Sequence, residues 1–153
     1  MTEHLQIAID GPAGAGKSTV ARKLADKLGY LYIDTGAMYR ASTWLALKHG
    51  LSLHDGPGIA ALARRTEILL AAADETSDGK IRVYVDGEEI TRDIRTQKMS
   101  EQVIPVAALK EVREVLVEKQ KELARQGNAV LDGRDIGTVV LPKAGLKIFL
   151  TAS

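Results

Sequence analysis

The strongest constraint on this 153-residue chain is the stretch Gly11-Pro12-Ala13-Gly14-Ala15-Gly16-Lys17-Ser18-Thr19. Glycine, four residues, then Gly-Lys-Ser is a spacing that suits a backbone wrapped around a phosphate, and the flanks carry more weight than the spacing alone. Leu5-Gln6-Ile7-Ala8-Ile9 before it is short and apolar enough for a buried strand, and Val20, Leu24, Ala25 and Leu28 after it recur at helical spacing. Side chains at Gly14 and Gly16 would obstruct the turn that aims several N–H groups at one anion. Lys17 adds a mobile positive charge for the outer phosphates, Ser18 offers a hydroxyl to a magnesium ion, and the helix N-terminus contributes its partial positive charge.

Further along, the helix from Ser18 is expected to stop at Gly29, and Tyr30-Leu31-Tyr32-Ile33 reads as the next strand, completing a βαβ unit. Thr35 is placed to cap a helix through Met38, Tyr39, Trp44, Leu45 and Leu47, with a stop at Gly50. Leu51 to Pro57 is loop-like, and Ile59 to Ala63 gives a short helix beside Pro57. Glu67 to Ala73 reads equally as strand or helix. Ile81, Val83 and Val85 alternate with Arg82 and Tyr84, and Asp86-Gly87 turns the chain into Glu88-Glu89-Ile90, so residues from about 67 to 90 form a small antiparallel insert. After Thr96 comes a helical stretch interrupted near Pro105. A longer helix follows from about Leu109 to Gln126, with Leu109, Val112, Leu116 and Leu123 as its apolar stripe and Arg113 at the stripe's edge. Ala129-Val130-Leu131 is the third parallel strand and Leu146 to Leu150 the fourth, joined through Thr138-Val139-Val140-Leu141-Pro142.

This length suits one domain over 1–153 with a real core, which one Phe and one Trp make mainly aliphatic. A net charge of +1 gives no field that points to nucleic acid or a membrane surface. The absence of cysteine excludes disulfides and thiolate metal sites and suits a reducing compartment. Met1-Thr2-Glu3-His4 leads straight into the first strand and no apolar run is of membrane length, so a cytoplasmic location is expected; a monomer is the expected state.

In an open parallel sheet, ligands gather outside the carboxyl ends of the strands. Two polar clusters besides the glycine loop fall there: Asp34-Thr35-Gly36 with Arg40 one turn on, and Asp132-Gly133-Arg134-Asp135. A guanidinium at Arg134 suits clamping a phosphate, while Asp132 suits ordering magnesium and its waters. Arg113 on its own fits a surface ion pair with Glu111 or Glu114; the three histidines are assigned no chemistry, and Trp44 and Phe149 are expected in the core.

Ile9-Asp10-Gly11-Pro12, Asp34 through Arg40, Ile94-Arg95-Thr96, Val112-Arg113, Asp132 through Val140 and Lys147-Ile148-Phe149-Leu150 together resemble the bacterial cytidylate kinases over the whole chain. The resemblance implies a three-layer α/β nucleoside-monophosphate-kinase core with a P-loop, parallel strand order 2-3-1-4 and an inserted subdomain. It also implies transfer of a phosphoryl group from ATP, with magnesium, to CMP or dCMP. Gly11 to Thr19 would hold the ATP phosphates, and Arg40 and Arg134 the acceptor phosphate. Thr35, Arg113 and Asp135 would lie on the nucleoside side, with the last two at the pyrimidine. The catalytic set is Lys17, Arg134 and Asp132, and the metal set Ser18 and Asp132. Where the family has a serine that touches the cytosine amino group, this chain has Ile104, which cannot hydrogen-bond and keeps open a P-loop kinase for another nucleotide or a small alcohol. The sequence ends at Thr151-Ala152-Ser153, where the family continues into an arginine-bearing lid, a fifth strand and a closing helix. The resemblance therefore also leaves open a nucleotide-binding module without turnover.

Overall fold

The structure, a computed structural model, describes residues 4–12 and 16–151. Ala13, Gly14 and Ala15, three of the expected phosphate-loop residues, lie outside the described residues. The chain divides into two compact units, one of residues 1–35 and 117–153 and the other of residues 36–116.

The first unit is built on a parallel sheet. Its strands are β1 (Gln6–Asp10), β2 (Leu31–Asp34), β6 (Ala129–Gly133) and β7 (Leu146–Phe149), in the order β2-β6-β1-β7. Register places Ile7 opposite Val130 and Leu146, and Asp34 opposite Asp132. Ile7, Ala8 and Ile9 are buried, as expected of an inner strand covered on both faces. Helix α1 (Lys17–Leu28) packs through two small residues, Ala21 and Ala25, into a cluster with Ile7, Ile9 and Val130. Gly29 ends it in the left-handed region (φ 71°), where a Cβ would be strained, and the Tyr30 N–H closes on the Ala25 carbonyl at 2.9 Å.

The second unit contains most of α2 (Thr35–Lys48), α3 (Gly56–Arg64), the strands β3 (Ile68–Ala71), β4 (Arg82–Val85) and β5 (Glu88–Glu89), α4 (Gln97–Ala107) and the first half of α5 (Lys110–Ala124). The three strands form an antiparallel sheet in sequence order. Asp86 (φ 47°) and Gly87 (φ 85°) make its two-residue turn with both central residues left-handed, the geometry whose twist matches that of the flanking strands. Val83 and Val85 are buried while Arg82 and Tyr84 are only half so, the two-residue period of a one-sided sheet. The apolar run at 67–73 becomes strand because β4 supplies its hydrogen-bonding partner.

Several expectations fail for identifiable reasons. Pro105 does not interrupt α4, which runs on to Ala107; the proline sits in the last turn, and the chain closes there through the Ala108 N–H on the Pro105 carbonyl at 3.3 Å. The stripe on α5 includes buried Gln120, whose Nε2 has no partner among the described residues, and Leu123 is only half-buried. Arg113 is exposed rather than at the margin of the core. Phe149 is 66% exposed because it points from β7 to the face opposite Ile148, the residue that packs on the core cluster. Trp44 is half-buried, with the Lys48 ammonium 4.9 Å from its ring centre.

Candidate functional site

The site in the first unit begins with a helix N-terminus that has no side-chain cap among the described residues. Gly16, at the N-terminus of α1, is left-handed (φ 81°) and has no side chain to cap the first turn, which also carries no acidic residue. The first N–H groups of α1 therefore remain available to an anion, with Lys17 beside them. The loop's first glycine has its own reason: at Gly11 (φ 153°) a Cβ would overlap the Leu150 carbonyl oxygen. The backbone there is tied on both sides, by the Gly11 N–H to Gly133 O at 3.2 Å and the Leu150 N–H to Asp10 O at 2.8 Å.

Asp132, at the end of β6 and 3% exposed, is the centre of the polar cluster. Its Oδ2 accepts the Ser18 hydroxyl at 2.8 Å and the Tyr32 hydroxyl at 3.0 Å. Its Oδ1 is buried and has no hydrogen-bond partner among the described residues. Burial, and then the charge of Asp34, push the carboxyl up to about 6, against the hydrogen bonds from Ser18 and Tyr32 and the charge of Lys17. Burial first, then Asp34 and Asp132, hold the Tyr32 phenol far above its usual range, so it stays a hydrogen-bond donor.

Thr35 does not cap α2. Its hydroxyl donates to the Asp132 carbonyl at 2.5 Å, because Thr35 is itself the first helical residue and sits against the end of β6. Asp10 was not singled out for chemistry, yet its two carboxylate oxygens accept the N–H groups of Ile136 (2.7 Å) and Gly137 (2.8 Å). It thereby anchors the wide helical turn Ile136–Val140 that follows Asp135. An acid closing an apolar strand just before a glycine was the available signal. Tyr32 was also missed; its signal is an alternation with Asp34 that puts both on one face of β2.

The structure thus brings together Ser18, Asp132 and Thr35, with Lys17 near enough for its charge to act on Asp132. Arg134 is exposed and makes no hydrogen bond or ion pair among the described residues, and Asp135 is half-buried beside it. Thr19 is exposed on α1 and Pro12 on the loop. Arg40 and Arg113 belong to the second unit. Arg40 is half-buried and donates from Nη1 to Ile94 O at 2.9 Å and from Nη2 to Ser100 Oγ at 3.1 Å. The donor set of Ser18 and Asp132 is all oxygen, and the orphaned buried Oδ1 fits a hard divalent cation such as magnesium.

The family model for cytidylate kinase matches residues 7–153. The chain belongs to the cytidylate kinase family. It is 57% identical over its whole length to the cytidylate kinase of Desulforamulus reducens, of which it covers 67%, and 54% identical to that of Shouchella clausii, of which it covers 66%. Over 96% of its length it is 54% identical to a bifunctional pantoate ligase/cytidylate kinase of Synechococcus sp., where it covers 27%. The chain spans about two thirds of the length of the single-function cytidylate kinases it matches. Among the described residues no helix is long and apolar enough to cross a membrane.

Proposed function

We propose that this chain carries the phosphate-handling core of a cytoplasmic, monomeric kinase that moves the terminal phosphoryl of ATP to CMP or dCMP. The reading takes residues 1–153 as one nucleoside-monophosphate-kinase domain with an insert at about 67–90 and a core sheet of order 2-3-1-4. The observation that carries it is the pairing of the Ser18 hydroxyl with Asp132 at the strand end, beside an uncapped helix N-terminus and Lys17. Gly11 to Thr19 bind the ATP phosphates, and Ser18 and Asp132 hold magnesium. When bound, magnesium neutralises charge on the phosphate oxygens. Arg134 and Arg40 hold the acceptor phosphate, while Thr35, Arg113 and Asp135 face the nucleoside.

In-line transfer asks a protein mainly to position two phosphates and neutralise charge, with no covalent intermediate. Lys17 and the α1 donors fix the donor end, and the arginines fix the acceptor. A second reading, a P-loop kinase for a different acceptor, is favoured by Ile104, which is apolar and 67% exposed on α4. ADP formation from ATP, measured with CMP, dCMP and UMP and without acceptor, separates the two. Preference for the cytidine nucleotides supports the first reading, and equal or greater use of UMP supports the second. Nucleotide binding without acceptor-dependent ADP formation would leave only a binding role.

A further inference from the structure

Tyr32 is not among the residues assigned to hold a ligand, yet it is built like a strut. Its ring packs with Leu24 and Ile148 against the aliphatic cluster of the sheet and α1, so its two side-chain torsions are fixed by the core. From there its hydroxyl reaches Asp132 Oδ2 at 3.0 Å, where the Ser18 hydroxyl also arrives. The register explains the reach: Tyr32 pairs with Val130 while Asp34 pairs with Asp132, so the phenol runs diagonally across the β2–β6 ladder on the face they share. Both donors converge on one carboxylate oxygen and leave the other buried without a partner among the described residues. A carboxylate held only for stability would gain more from donors spread over both oxygens, since each unmet buried acceptor is costly.

We infer that Tyr32 is a positioning residue for the metal site: together with Ser18 it fixes the plane of the Asp132 carboxylate so that Oδ1 is the atom presented to a divalent cation. This rests on the reading in which Ser18 and Asp132 hold the magnesium of MgATP. Removing the phenol oxygen leaves the ring packing intact but lets the carboxylate turn about its Cβ–Cγ bond.

The test is calorimetric ATP binding across a Mg²⁺ series and in EDTA, with melting curves, for the wild type, Tyr32→Phe and, as a control from the same cluster, Tyr30→Phe. For Tyr32→Phe the apparent Mg²⁺ affinity of the ATP complex should fall about tenfold, as is usual for outer-shell partners of a metal ligand. ATP binding in EDTA should stay at the wild-type value, the melting temperature should fall only slightly through the one hydrogen bond lost, and Tyr30→Phe should leave the Mg²⁺ dependence unchanged. Unchanged Mg²⁺ dependence in Tyr32→Phe overturns the inference, as does an equal loss in both variants or a parallel loss in EDTA, either of which would reveal a packing effect. Wild-type ATP binding that ignores Mg²⁺ would instead overturn the metal-site reading itself.

Discussion

Three helix N-termini divide the molecule into two kinds of chemistry. In the second unit α3 is closed by the Asp55 carboxylate, which accepts the Gly58 N–H at 3.0 Å, and α4 by the Thr96 hydroxyl, which accepts that of Met99 at 3.1 Å. In the first unit α1 begins at Gly16 with no such partner. A glycine N-cap costs only about a few tenths of a kcal/mol relative to Asp or Thr, so α1 gives up little stability in leaving its first donors without a side-chain partner. The same contrast holds for side chains, since Asp132 Oδ1 in the first unit has no partner among the described residues while Arg40 in the second is fixed by Ile94 and Ser100. Polar groups that a fold leaves unmet are where a ligand completes it.

Breaking the first unit's side of this contrast should have the largest effect. Lys17→Ala is expected to lower kcat by roughly 10²–10³, the scale of losing one pre-organised charge partner in a transition state, with an unchanged melting temperature. A coupled ADP assay with thermal melts checks both, and wild-type turnover would remove the loop from the mechanism. Asp132→Asn sharpens the same side through pH. The folded Asp132 carboxyl, at about 6, lies above its unfolded 3.8, so between those values the folded state holds a proton that the unfolded state releases. Its contribution to stability is therefore largest in acid and is lost as pH rises from about 4 to 6, on the order of 2–3 kcal/mol. Urea titrations of the metal-free protein at pH 4 and 7 should show this loss in the wild type and not in Asp132→Asn; parallel profiles would refute it.

The two arginines assigned to the acceptor phosphate test the comparison across the units. Arg40→Ala and Arg134→Ala should each raise KM for CMP by about 10–100-fold, equivalent to the 1.5–3 kcal/mol of a hydrogen bond to a charged group. Only Arg40→Ala should also destabilise the fold, by about 1 kcal/mol, because Ile94 and Ser100 lose a partner while Arg134 has none to abandon among the described residues. Equal melting temperatures for the two variants would erase that distinction. Ile104→Ser should have the smallest effect, a few-fold gain in kcat/KM for CMP over UMP, since one exposed hydroxyl adds a single partner for the cytosine amino group. An unchanged ratio would mean that Ile104 does not face the base.

Much of the first unit is legible from local chemistry. Apolar runs mark β1, β2, β6 and β7, and Gly29 marks the end of α1; in the second unit Asp86-Gly87 marks the insert's turn. Ser18 and Asp132 each stand out at a strand or helix end. Their partnership with Tyr32 does not, because 100 residues separate Tyr32 from Asp132 and the contact exists only through the β2–β6 register. Pro105 misleads for the opposite reason: it is a strong local signal for a break, yet α4 runs on two residues past it despite the N–H that proline lacks. Phe149 misleads because its type says core while its parity on β7 says solvent.

The central position of β1 has a consequence for how this protein is made. Both neighbours of β1, β6 and β7, come from the far end of the chain, the nearer of them starting at Ala129. A ribosome adding about 5–20 residues per second needs several seconds or more to span the roughly 120 residues between them. Throughout that interval Ile7, Ala8 and Ile9 have no strand to pair with, and the glycine loop cannot be held against Gly133 and Leu150. The glycine loop is thus translated well before the two strands that hold it. Chaperone dependence during synthesis should accordingly track exposure of this short apolar strand.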